Sequence, residues 1–435
     1  MKRRIVQTLA PALLLPGLLL ALFMFHNDSL GDHYSRIAPY NHPVFNRSSS
    51  LLKEITIEES RLKTDPEGPF VLTSLAGLYA KQGKNTGNFA LLDHADQLAR
   101  KSESILSFFN DGALLVQADV AQARHEFPKA VKICENVVSN KFSRRGSKID
   151  ALSTLVTSQL ATGNISEASR NADRLLHLRP AVGNYVLRAL VMTAQGKSPD
   201  ALQDFQTAYQ KEAFGDPAGS ALLRVFWGRF YLKQGRLTEA QDLFHEALRI
   251  LPNDPQALGL LAELEVRKGK LSDAEAHYTE AFSFSRQMVY LLGEARVKRL
   301  KGQTREADEI RDEAIRVIER EIIGSGYGHR FELARLLLER HRPEDLQHAL
   351  QLAEKETHLR SSPEILEVHA WALLENHRPL EAREEIQKAL RTGVQDAEIY
   401  HRAGLIESAM HNPTQAHFYT RRSHEIDPTF NPTAS

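Results

Sequence analysis

A recurring alanine sets a repeat period along most of this chain. Nine alanines hold the same place in successive stretches, at spacings of 38, 33, 39, 34, 33, 42, 33 and 34 residues. They are Ala130, Ala168, Ala201, Ala240, Ala274, Ala307, Ala349, Ala382 and Ala416. Since five of the eight spacings lie within one residue of 34, the chain must be a tandem array of similar units, with loop insertions where the spacing is longer.

The unit from Ala221 to Asp254 shows the pattern most completely. Its companions to the central alanine are Trp227, Gly228, Tyr231, Gly235, Leu237, Phe244, Ala247 and Pro252. This pattern predicts two antiparallel helices, with Gly228 and Ala240 at their closest approach and large side chains filling the gaps beside them. A single pair cannot bury its apolar side, so neighbouring units must stack and share a core.

Residues 69–430 resemble the tetratricopeptide-repeat family. The resemblance implies an all-α superhelical solenoid of about ten helix pairs, and a helix at Leu51–Leu62 is expected to cap it. The segment from Gly328 to Pro432 is similar to the C-terminal part of exported bacterial repeat proteins. That narrower resemblance depends on four motifs: Gly328-His329-Arg330, Glu332-Leu333-Ala334, His369-Ala370-Trp371-Ala372-Leu373 and Ala403-Gly404.

The N-terminus indicates a signal anchor or a signal peptide over residues 1–26. Three basic residues precede an uncharged stretch of 21 residues, Ile5–Phe25, which as a helix would span about 31 Å, the thickness of a bilayer core. Residues 27–50 are expected to form a linker, and residues 51–435 the solenoid. We expect an uncleaved single-pass protein of the inner membrane with a periplasmic repeat domain, or a secreted protein if the signal is cleaved.

Composition and motifs argue against several other functions. Lys plus Arg equals Asp plus Glu, at 55 each, which does not favour a nucleic-acid partner. The one cysteine, Cys134, is expected to be a buried apolar residue. No catalytic, cofactor-binding or metal-binding constellation stands out, and three histidines, His125, His377 and His411, are instead expected at turns between helices, where positive φ is required.

The concave groove is the candidate binding site. By resemblance to the family, the first helix of each unit lines it, and six inward positions are candidates for contact with a protein or peptide: Arg229, Glu263, Arg296, Arg299, Trp371 and His401. Arg and Trp are common at binding hot spots. The expected function is a non-catalytic scaffold or adaptor in cell-envelope assembly, export or polysaccharide biogenesis; a structural spacer and an accessory subunit of an envelope enzyme are the alternatives.

Overall fold

The computed structural model describes residues 36–43, 50–324 and 329–432. Within these ranges the secondary structure consists of 21 helices, without a strand. They are α1 (Ser50–Thr64), α2 (Pro69–Thr86), α3 (Phe89–Ile105), α4 (Asp111–Ala123), α5 (Phe127–Ser139), α6 (Arg145–Ala161), α7 (Ile165–Leu178), α8 (Val182–Ala194), α9 (Ser198–Gln210), α10 (Pro217–Leu232), α11 (Leu237–Ile250), α12 (Pro255–Arg267), α13 (Leu271–Phe284), α14 (Met288–Leu300), α15 (Thr304–Gly324), α16 (Arg330–Arg340), α17 (Pro343–Thr357), α18 (Pro363–Glu375), α19 (Pro379–Leu390), α20 (Ala397–Ala409) and α21 (Pro413–Ile426).

After α1 the described helices form ten antiparallel pairs, which we number as units 1 to 10. Unit 1 is α2 with α3, unit 5 is α10 with α11, and unit 10 is α20 with α21. Each pair packs on the next, so the apolar core runs along the array. The predicted all-α solenoid of about ten units is confirmed, and α1 covers the helix expected at Leu51–Leu62.

The predicted membrane topology is contradicted. None of the helices in the described ranges is both long enough and apolar enough to cross a bilayer, because helices of a stacked array are apolar only on the faces that they bury. The predicted signal or anchor at residues 1–26 lies outside the described residues, and the predicted linker at 27–50 is described over 36–43 and at Ser50. A single-pass protein of the inner membrane is therefore not supported.

The packing inside unit 5 follows the predicted pattern. Ala240 and Phe244 are completely buried, and Tyr231 is 4% exposed. A Cβ atom on Gly228 would lie 2.5 Å from Cε1 of Phe244, so only glycine lets the two helices approach this closely. The predicted place of Cys134 is also confirmed, since it is fully buried and burial raises the pKa of its thiol to about 12.

The turns inside the units adopt the left-handed conformation. Histidine occupies this position in four units, at φ values of 60° for His125, 53° for His341, 60° for His377 and 57° for His411. Glycine occupies it elsewhere, as at Gly196. The expected positive φ is thus confirmed for His125, His377 and His411, which are turn residues.

Successive turns of the superhelix touch one another. Ser361, after unit 8, donates hydrogen bonds from its backbone N–H (3.3 Å) and its hydroxyl (3.1 Å) to the carbonyl oxygen of Thr162, inside unit 3. Gly196, inside unit 4, lies against Gly393, after unit 9. Three further contacts have the same offset: His125 with His329, Gly87 with Gln287, and Gly235 with Asp427. The tight turn between the two helices of unit n thus contacts the connection that follows unit n+5. Successive coils of the superhelix are therefore in direct contact, which we call the closure of the superhelix.

Candidate protein-binding site

Three of the six predicted groove residues meet on the inner face, the surface formed by the first helices of the units. Glu263, on α12, pairs with Arg267 at 3.1 Å. Burial alone would raise the pKa of Glu263, but four cations lower it below its ordinary value: Arg267, Lys233, Arg296 and Arg229. Units 5, 6 and 7 therefore share one charged cluster around this carboxylate.

Ion pairs join this cluster to the next superhelical turn. Lys233 Nζ lies 3.0 Å from Asp396 Oδ2, between units 5 and 10. Arg267 Nη1 lies 2.6 Å from Asp427 Oδ2, and the side chain of Asp427 is only 2% exposed. Lys233 and Arg267 are thus held by acidic partners across the inner face, and both pairs tie the two turns together.

The two remaining cations of the cluster are different. Among the described residues, neither Arg229 nor Arg296 forms an ion pair. Arg229 is exposed, whereas Nε of Arg296 is buried and has no hydrogen-bond partner in the described part of the chain. A buried donor without an acceptor costs about 1–3 kcal/mol. These two guanidinium groups are therefore suited to an anionic group supplied from outside.

The predicted residue Arg299 lies apart from this pair. Its Nη2 atom is 2.6 Å from Asp308 Oδ1, and both side chains are largely exposed. Arg299 belongs to a local run of basic residues, Arg296, Lys298, Arg299, Lys301 and Arg305, and most of these have an acidic partner. Lys298 and Lys301 pair with Glu275 of the preceding unit, at 2.6 and 2.7 Å, so Arg296 is the member of the run with an unused donor.

Trp371 and His401 lie further along the array and already have partners. The guanidinium carbon of Arg402 lies 4.0 Å from the centroid of the Trp371 ring, and Trp371 Nε1 donates a hydrogen bond to Glu375 (3.1 Å). The ring of His401 lies 5.6 Å from that of Phe430. The structure therefore gives Trp371 a covered, half-buried position instead of a bare surface for a ligand.

A second surface carries a peptide-like segment of the chain itself, which the sequence did not predict. Residues 36–43, expected to be part of a linker, lie against units 4 and 5. Ala38 is completely buried and Tyr40 is 2% exposed. Ala38 belongs to the apolar cluster that includes Phe205 of α9 and Trp227 of α10, and Tyr40 packs with Ala221 and Ile250.

Hydrogen bonds with side chains of unit 5 hold the main chain of this segment. Arg224 Nε donates to the carbonyl oxygen of Ala38 (2.9 Å), and Arg249 Nη2 donates to that of Tyr40 (2.8 Å). The N–H of Tyr40 donates to Glu246 Oε1 at 2.5 Å. Burial alone would raise the pKa of Glu246, but hydrogen bonds from Arg249 and the Tyr40 amide, with the nearby positive charges, lower it.

One sequence signal marks this surface. Arg224 lies 16 residues before Ala240, and it is completely buried. The same position before the other eight recurring alanines is always leucine or tyrosine: Leu114, Leu152, Tyr185, Leu258, Leu291, Leu333, Leu366 and Tyr400. A charged residue in a core position needs a buried partner, so this one departure from the repeat pattern could have indicated a special surface on unit 5.

The comparisons with known proteins agree with the repeat. Residues 231–281 match the family model of the tetratricopeptide repeat. No curated protein sequence matches the chain. Among solved structures, the human IFIT1 dimer with PPP-AAAA is 14% identical, with a TM-score of 0.47 and coverage of 88% of this chain and 95% of that chain.

Two other solved structures are similar at lower scores. The Cut9–Hcn1 hetero-tetramer of APC/C is 13% identical, with a TM-score of 0.39, and covers 87% of this chain and 91% of that one. Yeast Tom70 is 13% identical, with a TM-score of 0.36, and covers 87% and 89%. At these scores the superpositions carry no inference about ligands. The family match over residues 231–281 and the ten helix pairs of the described residues support a protein of the tetratricopeptide-repeat type.

Proposed function

We propose that the chain is a non-catalytic scaffold that captures an acidic segment of a partner protein on its inner face. The observation that carries this proposal is the pair of guanidinium groups at Arg229 and Arg296, which have no ion pair among the described residues. Tetratricopeptide solenoids offer extended concave surfaces to protein partners. Here the charges left over on that surface are positive.

The chemistry of the two arginines favours a carboxylate. A guanidinium group donates two parallel hydrogen bonds to a carboxylate, and such charge-assisted bonds are about twice as strong as neutral ones. Glu263 lies among the same cations and holds them in place without neutralising all four. An aspartate or glutamate of a partner would supply the counter-charge that exposed Arg229 and half-buried Arg296 do not have among the described residues.

The test uses a fluorescently labelled hexaglutamate peptide and the full chain. Arg229→Glu combined with Arg296→Glu should weaken binding at least tenfold, or about 1.4 kcal/mol. Arg299→Glu combined with Arg305→Glu is the matched control with the same change of net charge, because Arg299 already pairs with Asp308 and Arg305 with Glu309 on the exposed surface. Binding should also weaken with added salt.

Two results would contradict the proposal. Equal losses for the control and the double variant would show a general charge effect and no defined site. A chain that does not bind the peptide at low salt would favour the structural-spacer alternative. Cross-linking of the wild-type chain in cells, followed by mass spectrometry, would then name the natural partner of a confirmed site.

A further inference from the structure

We infer that units 4 and 5 form a second peptide-binding site, for a non-helical segment of the sequence small residue–proline–tyrosine, and that residues 37–40 are its internal copy. A partner protein with such a segment would bind here by replacing them. This site is separate from the inner-face cluster, and the inference does not depend on the acidic ligand proposed there.

The site forms hydrogen bonds with the main-chain groups of Ala38 and Tyr40. The carbonyl oxygen of Ala38 accepts from Arg224, and both polar main-chain groups of Tyr40 are bonded, to Glu246 and to Arg249. Pro39 lies between them and has no N–H to satisfy. Proline also fixes φ near the extended range and so reduces the entropy lost on binding. The central proline therefore fits a site that binds the main-chain groups of Ala38 and Tyr40 on either side of it.

The flanking side chains enter closed sockets. Ala38 is completely buried in the cluster formed by α8 to α12, which leaves space for a small side chain only. The Tyr40 ring packs with Ala221 and Ile250, and the guanidinium carbon of Arg224 lies 5.6 Å from its centroid. The ring of Tyr40 provides its main contact with unit 5.

The charged groups that bind the backbone are paired with groups outside the segment. Arg224 contacts both carboxylate oxygens of Glu212, at 2.5 and 3.1 Å. Arg249 contacts both oxygens of Glu246, at 2.8 and 2.9 Å. Departure of the segment would therefore leave no unpaired charge. The free site would keep both ion pairs, and water or the main chain of a partner would replace the hydrogen bonds that the segment makes with Arg224 Nε and Glu246 Oε1.

The site is a local feature of unit 5. Arg224 replaces the leucine or tyrosine that the other units carry at this core position. Glu246 is completely buried, whereas the corresponding residues of neighbouring units, such as Glu280 and Glu313, are exposed. In unit 5, charged Arg224 and Glu246 therefore occupy positions beneath the segment at which other units have an apolar or an exposed residue.

Tethering favours the internal copy over a partner. Nine residues, 41–49, separate Tyr40 from the start of α1. A short tether of this kind gives an effective concentration in the millimolar range. A free peptide must compete with it, so binding in trans should be weak in the wild-type chain and strong once the internal copy is disabled.

The experiment measures anisotropy of a labelled synthetic peptide with the sequence of residues 36–43, added to the full chain. Tyr40→Ala removes the anchor of the internal copy, and Tyr40→Phe is the matched control that keeps the ring. The peptide should bind Tyr40→Ala at least ten times more tightly than Tyr40→Phe. Adding Arg224→Leu with Glu212→Gln to Tyr40→Ala should abolish this binding, because the donor to the carbonyl oxygen of Ala38 is lost. Leucine is chosen because other units carry it at this position.

Two outcomes would overturn the inference. One is a folded Tyr40→Ala variant that binds the peptide no better than Tyr40→Phe does. The other is a Tyr40→Ala variant that loses its helical structure, which would make the segment an integral part of the core. Hydrogen exchange of the wild-type chain adds an independent check, because the Tyr40 amide should be protected by its bond to Glu246, and rapid exchange would refute the docking itself.

Discussion

Gly196 provides a direct test of the contact between superhelical turns. It lies in the turn inside unit 4 at φ +70°, and a Cβ atom there would lie 1.9 Å from the carbonyl oxygen of Gly393, after unit 9. Gly269 lies in the corresponding turn of unit 6 at φ +72°, and a Cβ atom there would meet nothing within 4 Å. Both substitutions, Gly196→Ala and Gly269→Ala, place alanine in the left-handed conformation. Only Gly196→Ala also introduces a clash with the neighbouring coil of the superhelix.

The expected magnitudes follow from these two terms. Alanine in the left-handed conformation costs about 1–2 kcal/mol at either position. At Gly196 the contact is with backbone, so a side-chain rotation cannot relieve it, and the two turns must separate by about 1 Å. Overpacking of this kind costs a further 1–3 kcal/mol or so. Gly196→Ala should thus reduce the free energy of unfolding by about 2–5 kcal/mol and Gly269→Ala by about 1–2 kcal/mol.

Urea unfolding followed by circular dichroism measures the difference, and hydrogen exchange locates it. In Gly196→Ala the amides around Gly393 should exchange faster, together with that of Ser361, whose N–H is bonded to Thr162 in the neighbouring turn. Exchange in Gly269→Ala should change only within unit 6. Equal destabilisation by the two substitutions would refute the closure of the superhelix.

Three further predictions concern packing and pH. Ala240→Leu should lower the free energy of unfolding by about 1–3 kcal/mol, because extra methylenes enter a helix crossing in which Ala240 is fully buried; unchanged urea unfolding would contradict this. Trp371→Ala should lower it by about 3–5 kcal/mol, as for a packed aromatic ring under Arg402, and peptide capture by the residual folded protein should persist; loss of capture at full stability would reverse that assignment. Burial lowers the pKa of His329, with Arg360 adding to the effect and Glu321 opposing it. Its contribution to stability is therefore present above pH 6.5 and is lost as the pH falls below that value, so melting temperatures between pH 7.5 and 5.5 should fall less for His329→Gln than for wild type; equal slopes would show that His329 does not contribute.

The repeat made the helix pairs predictable, because each unit depends on a local pattern. Gly228, Ala240 and Phe244 occupy fixed places in a crossing that neighbouring units share, so spacing alone locates them. The turn histidines were predictable for the same reason, since His377 replaces a glycine at a position that requires positive φ.

Contacts between distant units were not predictable in this way. The pairs of Lys233 with Asp396 and of Arg267 with Asp427 join residues about 160 positions apart. They depend on the angle between successive units, which accumulates along the array and leaves no period in the sequence. The docking of residues 36–43 was missed because an irregular segment held by its backbone has no amphipathic pattern. Only the arginine at position 224 indicated it.

The closure of the superhelix has a mechanical consequence. An open solenoid behaves as a spring, because it can lengthen by small rotations between units while every helix pair stays intact. In this chain the coils are bonded to each other, for example through Ser361 and Thr162. Elongation must first break such bonds, so the molecule should resist small forces as a stiff cylinder and then yield abruptly. A ligand held by two adjacent coils would raise the force at which this happens.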